Sequence, residues 1–198
     1  MTLRRAAFLD RDGVINVDRG YVYRPDQFEF IDGVLEGAAT LRRLGFALVI
    51  ISNQSGIGRG LYSEADLDAL NRWMLCEFEQ RSIHIDGVFH CPHHPTEALG
   101  RYRCECDCRK PAAGMLLQAA RELKLDLQRS VLFGDRASDL QAGANAGVPL
   151  RYLLGTDGLQ RPAPAKPSGL STAEFRNLGE AAASVELADA TGAIARAQ

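Results

Sequence analysis

The sequence has no long hydrophobic run and no excess of basic residues. None of its apolar segments approaches the roughly 20 residues that a membrane-spanning helix requires. Residues 6–9 form the only apolar stretch before Asp10, which is too short for the core of a signal peptide. The 23 basic and 25 acidic side chains give a net charge of −2, so nothing marks a surface for nucleic acid or anionic lipid. These absences predict a cytoplasmic protein that binds neither.

Cysteine is scarce, and its distribution is uneven. Four of the five cysteines lie in the eighteen residues from Cys91 to Cys108. A reducing compartment argues against a disulfide framework, and such clustering favours a metal site. Cys91-x-His93 and Cys104-x-Cys106-x-Cys108 are short clips that can place four nitrogen and sulfur ligands around Zn²⁺. Spacing alone does not decide whether residues 104 and 106 or residues 106 and 108 complete the set.

Apolar segments typical of strands alternate with segments of helical periodicity. The predicted strands are residues 6–9, 46–51, 85–90, 130–133 and 149–154, and the predicted helices are residues 34–44, 64–78, 111–123 and 138–146. Ser63 and Asp66 resemble a capping box before the second helix, in which Cys76 is expected to be a small core residue. This alternation predicts an α/β fold with a doubly wound parallel sheet.

The length suits one domain. With 198 residues, 46% of them hydrophobic, the chain can bury a proper core. We place that core at about residues 5–155. Residues 156–198 are expected to hold a Pro-, Gly- and Ala-rich connector, a last helix over 175–187 and a frayed tail. No coiled-coil pattern or broad apolar helix face demands a partner, so a monomer is expected.

Polar side chains follow three of the predicted strands. Asp10 and Asp12 end the first, Ser52 and Asn53 the second, and Asp135 the fourth. Ligands of doubly wound sheets bind beyond the carboxyl ends of the strands. Two carboxylates this close resist ionising together unless a cation lies between them, and carboxylate oxygens suit Mg²⁺. Asp and Gly also simply terminate strands, but the coincidence at three strands favours a magnesium site that aims one carboxylate at an electrophile.

The chain resembles the haloacid dehalogenase-like (HAD) phosphatases over about residues 5–155. Four motifs occur in matching order and spacing: Asp10-Arg11-Asp12-Gly13, Ser52-Asn53, Lys110, and Gly134-Asp135 with Asp139. The strings FLDRDGVINVDRGYV, FEFIDGV, SNQSGIGRG, CPHHP and CDCRKP are similar to those of the heptose bisphosphate phosphatases, which serve lipopolysaccharide synthesis. Histidinol-phosphate phosphatases are close relatives that share most of these strings. The resemblance implies a Rossmann-like HAD core with a zinc-binding loop.

The resemblance also implies catalytic roles. Asp10 would attack phosphorus and form an aspartyl-phosphate. Asp12 would protonate the leaving oxygen and then activate water. Ser52 and Asn53 would hydrogen-bond phosphoryl oxygens, and Lys110 would offset the charge that develops on them.

The implied ligands fall into three groups. Mg²⁺ would be held by Asp10, the backbone carbonyl of Asp12, and Asp135, whereas Asp139 would only orient Lys110 or Arg136. A closed, structural Zn²⁺ site would comprise Cys91, His93, Cys106 and Cys108, with Cys104 spare. The expected substrate-binding residues are Asp18, Arg19, Gly20, Tyr21, Gln54, Ser55, Arg59, Arg109 and Arg136.

Arg109 is expected to reach a second phosphate, because a guanidinium binds phosphate in a bidentate manner. The alternative is a surface pair with Glu105 or Asp107.

Neither the segment between Asp12 and Ser52 nor that between Asn53 and Lys110 is long enough for a cap domain, so an open site is expected. The leading hypothesis is a Mg²⁺-dependent sugar bisphosphate phosphatase, and a histidinol-phosphate phosphatase is the alternative. A nucleic-acid 3′-phosphatase is disfavoured by the lack of a basic stripe. A non-catalytic, zinc-stabilised binding module is disfavoured because every motif is intact.

Overall fold

The computed structural model describes residues 3–155 and 169–190, which fold around one parallel sheet. Its order is β3-β2-β1-β4-β5-β6. The strands are β1 (Arg4–Leu9), β2 (Ala47–Asn53), β3 (Gly87–Cys91), β4 (Leu125–Gly134), β5 (Leu150–Leu154) and β6 (Ala173–Phe175). All five neighbouring pairs are parallel, so the predicted doubly wound α/β sheet is confirmed.

Helices connect the strands and cover both faces of the sheet. They are α1 (Val34–Arg43), α2 (Ser55–Gly58), α3 (Glu64–Glu79), α4 (Gly114–Leu123), α5 (Ala137–Ala146) and α6 (Leu178–Ala190). The capping box predicted at Ser63 is present at the start of α3. Two short 3₁₀ turns, Pro25–Gln27 and Gly100–Tyr102, lie in the connections. None of the described helices has both the length and the hydropathy needed to cross a bilayer.

The two sides of the sheet form separate hydrophobic cores. Side chains alternate between faces along a strand, so Leu9 and Leu48 pack with α1, α3 and α6. Phe8 and Val49 point the other way and pack with α4 and α5. Because both faces are covered, the central strands read as continuous apolar runs in the sequence.

Several predicted boundaries were wrong. Strand β6 was missed because three residues carry no periodicity, and α6 begins at Leu178 rather than at residue 175. Pro111 does not start α4, since residues 107–113 form a turn in which Gly114 N–H donates to the Asp107 carbonyl at 2.7 Å. Cys76 is exposed and not a core residue. Most of the connector predicted over 155–171 and most of the tail predicted over the last ten residues lie outside the described residues, at 156–168 and 191–198.

The strand order reverses beside β1, and this places the cleft. The chain passes from β1 to β2 on one side, and β4 returns to the other side of β1. Doubly wound sheets bind ligands at such a switch point, beyond the carboxyl ends of the strands. Between β1 and α1 lies a flap (residues 16–30), anchored by a bridge between Asn16 and Phe30. In the described ranges, neither connection beside the cleft contains a cap domain, which agrees with the open site expected.

Candidate active site

The floor of the cleft is a lysine surrounded by carboxylates. Lys110 Nζ lies 2.9 Å from Asp10 Oδ1 and 2.8 Å from Asp139 Oδ1, and it donates to the Ile51 carbonyl at 3.2 Å. Lys110, Asp10 and Asp139 are all buried. An ammonium group has three N–H donors, so all of those on Lys110 are engaged.

The charges on this floor do not balance. Burial raises the pKa of Asp10 well above its ordinary value; Lys110 opposes the rise, and Asp139 and Asp135 add to it. Burial lowers the pKa of Lys110, but Asp10 and Asp139 outweigh that effect and raise it overall. Carboxylate oxygens of Asp10, Asp135 and Asp139 lie within 4.8 Å of one another. Three carboxyl groups around one ammonium leave excess negative charge, and an all-oxygen donor set fits Mg²⁺.

Gly13 allows the chain to turn directly over Asp135. Its φ is +94°, and a Cβ there would lie 2.3 Å from Asp135 Oδ2. A side chain at this position would therefore be strained and would collide with the carboxylate. The backbone at Gly13 therefore lies directly against one of the expected Mg²⁺ ligands.

The Asp12 carboxylate is held from three directions. Asn16 Nδ2 donates to its Oδ1 at 3.0 Å, Gln54 Nε2 donates to its Oδ2 at 2.9 Å, and Arg11 contacts both oxygens. The buried Arg11 also donates to the Val22 carbonyl at 2.6 Å, which ties the flap to the site. β1 ends at Leu9, so loop contacts, and not strand geometry, orient Asp12 beside Asp10.

Asn53 contacts the loop that carries Lys110. Its Oδ1 accepts the Lys110 backbone N–H at 3.0 Å, and its Nδ2 donates to the Lys110 carbonyl at 3.1 Å. The phosphoryl contact expected of Asn53 can therefore use only its remaining N–H. The first role that the structure gives Asn53 is to position Lys110. The Ser52 hydroxyl, also at the end of β2, accepts from Gln54 Nε2 at 2.5 Å.

The cleft has a volume of about 540 Å³ and brings together most of the predicted site residues. The predicted residues that line it are Asp10, Asp12, Asp18, Gly20, Tyr21, Ser52, Asn53, Gln54, Ser55, Arg59, Arg109, Lys110 and Arg136. Arg19 is not among them: its guanidinium pairs with Glu29 in the flap and lines a neighbouring depression. The structure therefore places Arg19 beside the cleft and not in its lining, and its contact with substrate stays a prediction.

Three arginines lie at the mouth of the cleft, each with a protein partner. Arg136 Nη2 donates to Asp18 Oδ2 at 2.7 Å and so joins the start of α5 to the flap. Arg109 donates to the His93 carbonyl at 3.1 Å. Arg59 pairs with Glu97.

The thiol and imidazole groups of residues 91–108, the expected zinc loop, form one compact cluster. Cys108 Sγ lies 3.0 Å from Cys91 Sγ and 3.4 Å from Cys106 Sγ, and 3.6 Å separates Cys91 from Cys106. His93 Nδ1 lies 3.4 Å from Cys108 Sγ. Zinc–sulfur bonds of about 2.3 Å in a tetrahedron place sulfurs about 3.8 Å apart. The donor set thus fits Zn²⁺, and Cys104 is not part of it.

Sequence reasoning missed some residues of the site. Tyr62 and Ser138 line the cleft and were not expected there. Asp139, in contrast, was expected to orient Lys110 or Arg136, and its Oδ1 lies 2.8 Å from Lys110 Nζ. Tyr62 carried no signal, because it lies beyond the glycine-rich stretch and reaches the site only through the turn that α2 makes.

Known proteins match most of this chain. A family model described as HAD-hydrolase-like matches residues 107–181. A Haemophilus influenzae D-glycero-beta-D-manno-heptose-1,7-bisphosphate 7-phosphatase is 46% identical over 78% of this chain and 83% of its own length. The protein of that name from Escherichia coli K12 is 48% identical over 76% of this chain and 79% of its own length.

The chain belongs to the heptose bisphosphate phosphatase family of HAD-like hydrolases. A solved heptose bisphosphate phosphatase agrees in fold. The D,D-heptose 1,7-bisphosphate phosphatase from B. bronchiseptica, complexed with magnesium and phosphate, is 30% identical, with a TM-score of 0.75. The similarity covers 92% of this chain and 98% of that chain.

Proposed function

We propose that this protein is a Mg²⁺-dependent phosphatase that removes the C7 phosphate of D-glycero-D-manno-heptose 1,7-bisphosphate. It would supply heptose 1-phosphate for lipopolysaccharide precursors. The observation that carries the chemistry is the cleft floor, where Asp10 and Asp12 share one cleft and Lys110 Nζ lies 2.9 Å from Asp10. The choice of substrate rests on the family to which the chain belongs.

Asp10 is the proposed nucleophile. Its buried carboxylate attacks phosphorus, the bond to the sugar oxygen breaks, and an aspartyl-phosphate forms. Asp12 gives its proton to the departing sugar oxygen. It then takes a proton from the water that attacks the aspartyl-phosphate, which releases inorganic phosphate and restores both carboxyl groups.

The remaining polar groups hold the phosphoryl group and balance its charge. The Ser52 hydroxyl and the free N–H of Asn53 would donate to phosphoryl oxygens. Lys110, whose donors are all engaged, acts through its charge and keeps Asp10 in place. Asp10, the Asp12 carbonyl and Asp135 would hold Mg²⁺, with Asp139 as the partner of Lys110. When bound, the ion reduces the repulsion between nucleophile and substrate phosphate.

The second cluster is proposed as a structural Zn²⁺ site. Cys91, His93, Cys106 and Cys108 provide four protein ligands, which leaves no open position for substrate. The loop that they close delivers Arg109 and Lys110 to the cleft. Cytoplasmic localisation, a monomeric state and a single domain stay predictions.

A substrate panel tests the proposal. We would compare kcat/KM for both anomers of the heptose bisphosphate, fructose bisphosphate, histidinol phosphate and a 3′-phosphorylated oligonucleotide. The expected result is the highest kcat/KM on one heptose bisphosphate anomer, with phosphate released from C7. Equal or faster turnover of histidinol phosphate would contradict the proposed substrate, and no turnover of any member would contradict the proposed chemistry.

A further inference from the structure

Tyr62 lines the cleft with little exposed surface and is joined to the Asp12 carboxylate through Gln54. The Tyr62 hydroxyl donates to Gln54 Oε1 at 2.5 Å, and Gln54 Nε2 donates to Asp12 Oδ2 at 2.9 Å. Tyr62 is 6% exposed and Gln54 is 3% exposed. The buried Tyr62 hydroxyl therefore fixes which end of the Gln54 amide, the oxygen or the NH₂ group, faces Asp12.

The orientation of the Gln54 amide matters because its two ends are alike in shape and opposite in hydrogen bonding. Turned end for end, Oε1 would face Asp12 Oδ2, and two acceptors would oppose each other. Burial raises the pKa of the Tyr62 hydroxyl to about 12, so the hydroxyl keeps its proton and remains a donor for Oε1. Without that donor, Oε1 would be a buried acceptor with an unmet hydrogen bond, which is unfavourable.

The packing around Tyr62 fixes its ring. Tyr23 of the flap stacks on it with the ring centroids 5.0 Å apart and an interplanar angle of 9°. A Cβ at Gly56 in α2 would lie 2.1 Å from Tyr62 Cε1, so the ring packs directly against the backbone there. A hydroxyl on a ring held between these two neighbours has little freedom to leave Gln54.

We propose that Tyr62 is a positioning residue, which acts through the Gln54 amide to keep the Asp12 carboxyl directed at the leaving-group oxygen. This inference rests on the proposed function, since it takes Asp12 as the general acid and base. Tyr62 itself contacts neither the substrate nor the reacting atoms in this role.

If Asp12 is misdirected, aspartyl-phosphate formation should slow most for substrates whose leaving group must be protonated. The alkoxide formed from a sugar phosphate is a strong base and leaves only when it is protonated. p-Nitrophenolate is a weak base and leaves without a proton. Loss of the Tyr62 hydroxyl should therefore slow aspartyl-phosphate formation from a sugar phosphate and spare its formation from p-nitrophenyl phosphate.

The test compares Tyr62→Phe with Tyr23→Phe as the matched control, because both changes keep the stacked rings and each removes one hydroxyl. For Tyr62→Phe we expect kcat on the heptose bisphosphate to fall about tenfold, part of the full effect of a general acid. KM and the burst rate of p-nitrophenolate release should stay within about twofold of wild type. Tyr23→Phe should leave all three within that range. Equal loss on both substrates, or no loss on either, would overturn the proposal.

A double-mutant cycle tests the route through Gln54. Gln54→Leu removes the amide and should produce the same selective loss, also if Tyr62→Phe proves unstable. In the Gln54→Leu background, Tyr62→Phe should change kcat by less than about twofold, because the link is already broken. A further full loss there would show that Tyr62 acts by another route.

The activity of the wild-type protein in the same assays tests the proposed function separately from the role of Tyr62. If the wild type does not hydrolyse the heptose bisphosphate, the assigned substrate is wrong. The role of Tyr62 is then decided by the same ratio of rates, measured on the alkyl phosphate of the panel that the wild type hydrolyses fastest.

Discussion

The protein contains two clusters of side chains that could hold a metal ion, and they are built in opposite ways. The carboxylate cluster of Asp10, Asp135 and Asp139 is assembled from the ends of β1 and β4 and the first turn of α5. The thiol–imidazole cluster comes from one loop, residues 91–108. The first uses oxygen ligands, which suit a hydrated Mg²⁺, and the second uses sulfur and nitrogen, which suit Zn²⁺.

This difference indicates a division of labour. The carboxylate cluster requires β1, β4 and α5 to be in place, contacts Lys110 and opens into the cleft, so it can exchange ligands during a reaction. The thiol–imidazole cluster is complete with four protein ligands and holds together the loop that precedes Lys110. Changes to the first should therefore affect chemistry and leave folding intact. Changes to the second should affect stability and substrate contacts.

The largest effect is expected from Asp10→Asn. The amide is nearly the same size but a poor nucleophile, so phosphate release should fall on the order of 10⁴-fold or more, as for other lost nucleophiles. Zinc content and thermal stability should stay close to wild type, because the thiol–imidazole cluster is separate. Substantial phosphate release by Asp10→Asn, measured with p-nitrophenyl phosphate, would contradict the assignment of the nucleophile.

Brief treatment with EDTA should separate the two clusters next. Activity should be lost, since Mg²⁺ held by few protein ligands exchanges quickly, whereas Zn²⁺ bound by three thiolates is released slowly. Added Mg²⁺ alone should restore activity, and elemental analysis should still find about one zinc per chain, the content of a single tetrahedral site. If activity returned only when zinc was added, the ion required for catalysis would belong to the thiol–imidazole cluster, which would contradict this prediction.

The sequence predicted the two clusters for different reasons. The proposed zinc ligands lie close together in the chain. Spacing alone left the choice between Cys104 and Cys108 open, and the structure brings Cys108, not Cys104, together with the other three residues. Asp10 and Asp135 were predictable because carboxyl ends of parallel strands meet at one edge of a sheet. The roles of Asn53 and Tyr62 were not predictable, since they depend on loop geometry that no periodicity encodes.

The fold shows the same limit. Five strands and the main helices were visible as buried apolar runs and helical spacing. Strand β6 is an edge strand of three residues and was missed. Pro111 was assigned to a helix start by its general preference for that position, but contacts of the loop with Asp107 and Arg109 end the turn before Gly114.

Arg109→Ala is expected to have an intermediate effect. Arg109 lines the cleft and donates to the His93 carbonyl, and we predict that its guanidinium binds the second phosphate of a bisphosphate. Loss of a charged hydrogen bond of this kind should raise KM for the heptose bisphosphate about 10- to 100-fold. Hydrolysis of p-nitrophenyl phosphate should barely change, because the lost contact lies away from the scissile bond.

Arg103→Ala is the control for this prediction. Arg103 is an exposed arginine of the same loop that does not line the cleft, so both substrates should be hydrolysed as in wild type. If Arg109→Ala slowed both substrates equally, Arg109 would act at the reacting phosphate instead.

The smallest effect on catalysis is expected from Cys108→Ser, compared with Cys104→Ser. Cys108 Sγ is within 3.4 Å of two other cluster sulfurs, whereas Cys104 stands outside the cluster. Loss of one thiolate should reduce the zinc content to less than about half an equivalent per chain, whereas a filled tetrahedral site holds one. The melting temperature should fall by roughly 4–8 °C, which corresponds to about 2 kcal/mol for a chain of this size. Cys104→Ser should change neither quantity.

Kinetics then decide whether the zinc loop takes part in recognition. The loop joins the cluster to Arg109 through the His93 carbonyl and to Lys110 through the chain itself. A loosened loop should therefore raise KM for the bisphosphate by about threefold and leave KM for p-nitrophenyl phosphate nearly unchanged, because recognition depends on the far phosphate. If Cys108→Ser lowered the melting temperature but left both KM values unchanged, the cluster would stabilise the fold and have no part in substrate binding. The carboxylate cluster would then serve catalysis, and the thiol–imidazole cluster would serve only the stability of the fold.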